Sequence, residues 1–137
     1  MAVKMRVAVY CRLARADDER IAEQKEQVLD FAAKQGHGEI AVFIDNGESG
    51  SNLRRPAMNR LNADIEAGLI DAVYVHSLPR IGRNVFEVLN WLDGLRDKGI
   101  TVKAVDGSLD DVSYDTFYNT YSAYLHQSKR GDKRNGS

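Results

Sequence analysis

Four short runs rich in Val, Ile and Ala, at 5–13, 40–45, 71–76 and 100–105, are separated by stretches whose apolar residues recur every three or four positions. This alternation constrains the fold more than any other feature. Strands joined through helices favour right-handed crossovers and a largely parallel sheet covered on both faces. Met5 to Leu13 ends in polar residues and reads as a buried first strand. From Asp17 to Gln35 the period is helical: Ile21, Val28, Phe31 and Ala32 share a face, acids crowd the first turn and Gly36 closes the last. Ile40 to Asp45 is a second strand. Pro56 suits a first helical position ahead of Ala57, Leu61 and Ile65, with Gly68 as terminator. Asp71 to His76 is a third strand. Asn84 with Glu87 resembles a capping box before Val85, Val88, Leu89, Leu92 and Leu95, Gly99 follows, and Ile100 to Val105 is a fourth strand. The expectation is one α/β domain over 1–128, with a central, mostly parallel sheet of four or more strands and helices on both faces.

Two regions lie outside that pattern. Residues 46–55, NGESGSNLRR, form a Gly/Ser/Asn loop that finishes with two arginines before a helix, and mobility is expected there. The tail 129–137, KRGDKRNGS, is basic, lacks a hydrophobic pattern and reads as a flexible tail or linker remnant.

The chemical signal concentrates in LPRIGRN, residues 78–84. Arg80 and Arg83 flank a glycine at the carboxyl end of one expected strand and the start of the next helix, where open α/β sheets collect ligands and free N–H groups favour anions. Two guanidiniums there would form a phosphate site, or both could be solvated partners of nearby acids. Arg12, ending the first strand, shares that sheet edge if the strands are parallel. Arg55 enters from the loop. Four convergent arginines without an anion would be costly together, and a site stabilising a phosphoryl-transfer transition state would use them.

YCRLARADDE, GESGSNLRRP and IEAGLIDAVYVHSLPRIGRN, in this order and spacing over roughly residues 5–107, resemble the catalytic domain of serine site-specific recombinases, the resolvase/invertase family. The large serine recombinases are the most similar in flavour. The resemblance implies a resolvase-like catalytic domain in which a serine of the first motif attacks a DNA phosphodiester, forms a 5′-phosphoserine link and frees a 3′-hydroxyl, with no metal or nucleotide cofactor. It implies that Arg12, Arg55, Arg80 and Arg83 surround the scissile phosphate and that Arg54 joins Arg55, Arg80 and Arg83 in touching DNA. Gln24 and Ser49 resemble polar active-site positions. Each also has a plain structural reading, Gln24 as a buried amide bonded to backbone and Ser49 as a loop hydroxyl holding a turn. Pro79 stands where many small resolvases carry an acid, so no general acid is assigned there.

The position that matches the serine is Ala14. A methyl group has no lone pair, so covalent catalysis at this position is excluded and the chain is inactive as it stands. A replaced serine, a naturally degenerate recombinase serving as a dimerisation or regulatory module, and a shifted register are the three readings. No other Ser or Thr lies between Tyr10 and Arg20, which disfavours the last. Cys11 should point away from Arg12 in a strand, and Tyr10 reads as core or rim.

Phe117, Tyr118, Tyr121, Tyr124 and Leu125 follow helical spacing between Asp115 and Gln127. This aromatic stripe packs on its own sheet or forms an interface, and the resemblance favours a C-terminal oligomerisation helix in a homodimer or tetramer. Double-stranded DNA is the implied partner. With 19 Lys and Arg against 20 Asp and Glu, the formal charge of −1 gives no global pull on nucleic acid, so contact must be local and weak without a further DNA-binding domain. One cysteine excludes a disulfide framework, His37, His76 and His126 lack metal spacing, and no apolar run approaches the roughly 20 residues of a bilayer span. A cytoplasmic protein is expected. A nucleotide-binding α/β protein is a weaker reading, since neither a Walker loop nor a GxGxxG fingerprint is present.

Overall fold

A computed structural model of the chain describes residues 6–36 and 39–109. The elements run β1 (Arg6–Leu13), α1 (Asp18–Lys34), β2 (Glu39–Asn46), α2 (Pro56–Glu66), β3 (Ala72–Val75), α3 (Leu78–Ile81), α4 (Val85–Asp97) and β4 (Thr101–Ala104). The strands form one four-stranded sheet in the order β2-β1-β3-β4, and every pairing is parallel. The chain leaves β1 towards β2 on one side and returns to β3 on the other. The carboxyl ends of β1 and β3 therefore flank a topological switch point, where such sheets open a crevice.

The period-two alternation of β1 divides the core. Val7, Val9, Cys11 and Leu13 pack with Ile21, Val28 and Ala32 of α1, whereas Ala8 and Tyr10 join Met58, Leu61, Leu92 and Leu95 from α2 and α4 on the opposite face. Both faces of β1 are thus buried, which is why it reads as a near-continuous apolar run. Cys11 faces α1, and burial pushes its thiol up to about 12, so it is a neutral packing group at ordinary pH.

Local signals account for most helix ends. The Asp17 carboxylate accepts from Arg20 N at 3.0 Å and starts α1. Gly36, Gly68 and Gly99 follow α1, α2 and α4 with φ of +82°, +73° and +75°, a conformation other residues adopt only with strain. Three features differ from expectation. The segment before α4 contains a one-turn helix, α3, which buries Leu78 and Ile81 completely; four residues carry no periodic signal. Arg80 therefore sits in α3 and Arg83 in the joint after it, rather than together on one helix start. At α4, Asn84 Oδ1 accepts from Glu87 N at 3.2 Å, but the Glu87 carboxylate turns to the main-chain N–H of Leu53 instead of completing the capping box.

α2 has no cap from its own N-cap residue, Arg55. Asp45, at the end of β2 and 2% exposed, supplies one: its carboxylate accepts from Ala57 N at 2.8 Å, Met58 N at 3.0 Å and the Tyr10 hydroxyl at 2.7 Å. One buried charge thus joins β2, α2 and β1. The aromatic stripe of 117–125 and the tail lie outside the described residues.

Two stability measurements check this packing. Leu61→Ala removes a fully buried side chain from between α2 and the sheet and should lower the urea-unfolding free energy by about 2–5 kcal/mol. Asp45→Asn preserves shape but loses the charge that serves three donors, and a loss of about 1–3 kcal/mol is expected in the same measurement.

Candidate functional site

The carboxyl ends of β1 and β3, the 46–55 loop, α3 and the α3–α4 joint meet at the switch point, and all but β3 contribute an arginine: Arg12, Arg55, Arg80 and Arg83. Arg12 projects from β1 and is 3% exposed. Its Nε donates to Arg80 O at 3.1 Å, Nη1 to Glu48 O at 3.0 Å and Nη2 to Pro79 O at 2.9 Å. Main-chain carbonyls, not a carboxylate, hold this cation. Burial first, then the charge of Arg55, with smaller effects from Arg80 and Arg83, lowers its pKa to about 10 against an opposing pull from Tyr10. It is still cationic at neutral pH.

Arg55 is buried to a similar degree, at 2% exposed. Nε donates to Ser49 O at 2.9 Å and Nη1 to the Tyr10 hydroxyl at 2.9 Å, and that hydroxyl in turn donates a hydrogen bond to Asp45. Desolvation above all raises the Tyr10 pKa, so the phenol stays a donor to Asp45. Arg55 Nη2 has no hydrogen-bond partner although it is buried. Leaving such a donor unpaired costs about 1–3 kcal/mol.

Arg83 is exposed and anchors the loop through its main chain, N to Gly50 O at 2.8 Å. Arg80 is half-buried and lines an open cleft of about 150 Å3 with Leu13, Arg20, Glu23, Gln24, Gln27 and His76. Arg54 is exposed, and its N–H is taken by Asn52 Oδ1 at 2.8 Å. Among the described residues the ion pairs are Arg6–Glu39 and Lys98–Glu66, and none involves the arginines of this edge.

Ala14 is exposed and is the first residue beyond β1; Leu13 O beside it accepts from Gly47 N and Glu48 N at 2.8 and 2.9 Å. Ala14 follows Arg12 by two residues, at the same carboxyl end of β1. Gln24 is buried, and its amide clamps the main chain of Arg12 in both directions, Oε1 accepting from N at 3.0 Å and Nε2 donating to O at 3.1 Å. β1 pairs with β2 as far as Leu13 but with β3 only from Val7 to Val9, so the Gln24 amide bonds the Arg12 main chain beyond the stretch that β3 covers. Ser49 is exposed, and its hydroxyl accepts from Ser51 N at 3.1 Å and donates to Ser51 Oγ at 3.0 Å. Both side chains are thus occupied in the way their structural readings anticipate.

The 46–55 loop is tied down rather than free, because buried guanidiniums need acceptors and its carbonyls supply them. Gly50 is central: a Cβ there would lie 2.9 Å from Arg12 Nη2. Sequence reasoning missed Asp45 and the second role of Glu87. An acid closing an otherwise apolar strand, immediately before a loop, was the available signal for Asp45. No group of three or more His, Cys, Asp or Glu that could hold a metal occurs among the described residues. No helix among them is long and apolar enough to cross a membrane.

Comparison with known proteins agrees with this geometry. The family model "Resolvase, N terminal domain" matches residues 7–130. A "Putative DNA recombinase" of Bacillus subtilis (strain 168) is 29% identical over 102 residues, covering 74% of this chain and 20% of that protein. A "Resolvase" of Clostridium perfringens (strain 13 / Type A) is 32% identical over 73 residues, 53% of this chain and 38% of the relative. The chain thus spans a minor part of these relatives. Among solved structures, the N-terminal catalytic domain of TP901-1 integrase superposes with a TM-score of 0.71 at 27% identity, covering 93% of this chain and 98% of that one. A resolvase family site-specific recombinase from Streptococcus pneumoniae shares the fold, with a TM-score of 0.63 at 24% identity over 96% of this chain and 91% of that one. A family model spanning nearly the whole sheet and the arginine-lined switch point places the chain in the resolvase family, as a member of its N-terminal domain class.

Proposed function

We propose that this domain acts in site-specific DNA recombination and is built to hold a DNA phosphodiester for strand cleavage and exchange through a phosphoserine link. The supporting observation is the set of arginines at the switch point, Arg12, Arg55, Arg80 and Arg83, none of which makes a direct ion pair with a described carboxylate. Such a group favours an oxyanion that gains charge as its phosphorus becomes five-coordinate. In the reaction a serine oxygen at position 14 would form the bond to phosphorus while the bond to the 3′-oxygen breaks, and the arginines would carry the charge on the equatorial oxygens. Gln24 and Ser49 would contribute by holding Arg12 and the loop. Ala14 offers no oxygen, so the chain binds the phosphate without cleaving it. Arg54, exposed beside Arg55, would touch the backbone further along the duplex. Neither a metal nor a nucleotide is required by this scheme.

The same alanine supports a second reading, a recombinase relative that has given up cleavage and acts as a dimerisation or regulatory module on DNA. In either reading, the aromatic stripe Phe117, Tyr118, Tyr121, Tyr124 and Leu125 is the proposed surface for a homodimer or tetramer.

Two experiments separate the readings. Ala14→Ser, in the longest chain that carries this domain, is expected to yield an SDS-stable protein–DNA adduct on duplex containing its recombination site; no adduct, with duplex binding intact, favours the non-cleaving module. For the chain as it stands, duplex binding should fall steeply with salt and show little sequence preference. Arg80→Ala should reduce the magnitude of the slope of log K against log salt by about 0.9, the value for one lost phosphate contact. An unchanged slope counts against the phosphate assignment.

A further inference from the structure

Arg12 and Arg55 are poorly placed to meet a ligand in the arrangement described. Glu48 O occupies Arg12 Nη1, and Gly50 lies over Nη2 with no room for a side chain. Arg55 lies beneath the same loop, its Nη2 unpartnered, close to Gly82 and Leu53. A buried cation with an orphan donor gains a full set of partners only if something enters, and entry requires the covering segment to move. The underside of that segment is held by the arginines themselves. From outside it is gripped twice: by the main-chain N–H of Arg83, bonded to Gly50 O at 2.8 Å, and by the Glu87 carboxylate, which accepts from Leu53 N. The first grip is main chain and survives any side-chain change. The second depends on one acidic side chain in the first turn of α4, diverted from the capping role its position suggests.

Resting on the phosphate reading above, we infer that residues 48–53 are a strap closed over Arg12 and Arg55, and that Glu87 is a positioning residue whose carboxylate latches it. The strap lifts to admit a phosphodiester to the two arginines. Arg80, which lines the open cleft, and exposed Arg83 meet the anion first. The phosphate then offers Arg12 and Arg55 the charged acceptor that the carbonyls replace in the closed state. Ligand binding shifts the strap because only the open form presents these donors.

The test uses the 137-residue chain, labelled with phenylglyoxal and mapped by peptide mass, together with amide exchange of residues 48–53. Glu87→Ala should raise labelling of Arg12 and Arg55, and exchange across the strap, by about tenfold to a hundredfold, the shift expected for one lost hydrogen bond to a charged group. Glu87→Gln retains a carbonyl acceptor for Leu53 N and should stay within about twofold of the parent, a rescue that a merely loosened fold would not show. Gly50→Ala forces the strap from Arg12 with Glu87 intact and should raise Arg12 labelling as well. Cys11, buried on the opposite sheet face, should resist iodoacetamide in every variant and so report that the fold is intact. Unchanged labelling in both Glu87→Ala and Gly50→Ala, or an equal rise in Glu87→Gln, overturns the latch. Binding of a short blunt DNA duplex to the same variants separates the two layers: opening without any gain in duplex affinity overturns phosphate admission and leaves the latch itself standing.

Discussion

The buried carboxylate of Asp45 is the point on which the neighbouring parts of the structure converge. It stands near the end of β2, one residue before Asn46, takes the N–H groups of Ala57 and Met58 at the start of α2, and receives the Tyr10 hydroxyl from β1. Through Tyr10 it reaches Arg55, whose guanidinium in turn holds Ser49 and the loop. Burying a carboxylate and a guanidinium is unfavourable unless each is paired and bonded, and here the pairing passes through a phenol rather than direct contact. That chain sets where the loop begins and ends. It also fixes α2 against the sheet and orients one member of the arginine group.

Arg12 presents a different electrostatic problem. It has no acid, only three carbonyls, and lies close enough to Arg55, Arg80 and Arg83 for their charges to lower its pKa. A fold selected for stability alone would gain by replacing such a group with apolar side chains of similar volume. Its retention at a switch point makes sense if the missing counter-charge arrives with a ligand, the role the proposed function gives to a DNA phosphate. The strap adds an ordering to that binding. In that proposal the outer arginines, half-buried Arg80 and exposed Arg83, attract the anion, and the buried ones complete the site once the loop yields.

Ala14 sharpens this picture. Everything around the position is in place: the strand that delivers it, the Gln24 clamp behind Arg12, and the Leu13 carbonyl tied to the loop. In the proposed function the methyl group at position 14 changes the chemistry, while the contacts that organise its surroundings are present. Under the proposed function, such a chain would hold substrate in a state that precedes cleavage.

The three long helices were legible in the sequence because each leaves a periodic trace over several turns with boundary signals such as Asp17, Asn84 and the glycines after α1, α2 and α4, and the four strands were legible as short apolar runs between them. The arginines were legible as a group once parallel strands placed their carboxyl ends on one edge. Several features were not: the single turn of α3, the role of Asp45 as a cap for a helix eleven residues further on, and the turn of Glu87 away from its own helix towards Leu53. The burial of Arg12 and Arg55 under a tethered loop, where polar composition suggested mobility, was likewise hidden. The sequence by itself determined the order of elements, the faces they bury and the residue types available to a phosphate. Only the tertiary structure decided which donors are already occupied. Hydrogen-bond partners of buried polar groups are chosen by proximity across the fold, and nothing in local periodicity encodes that proximity.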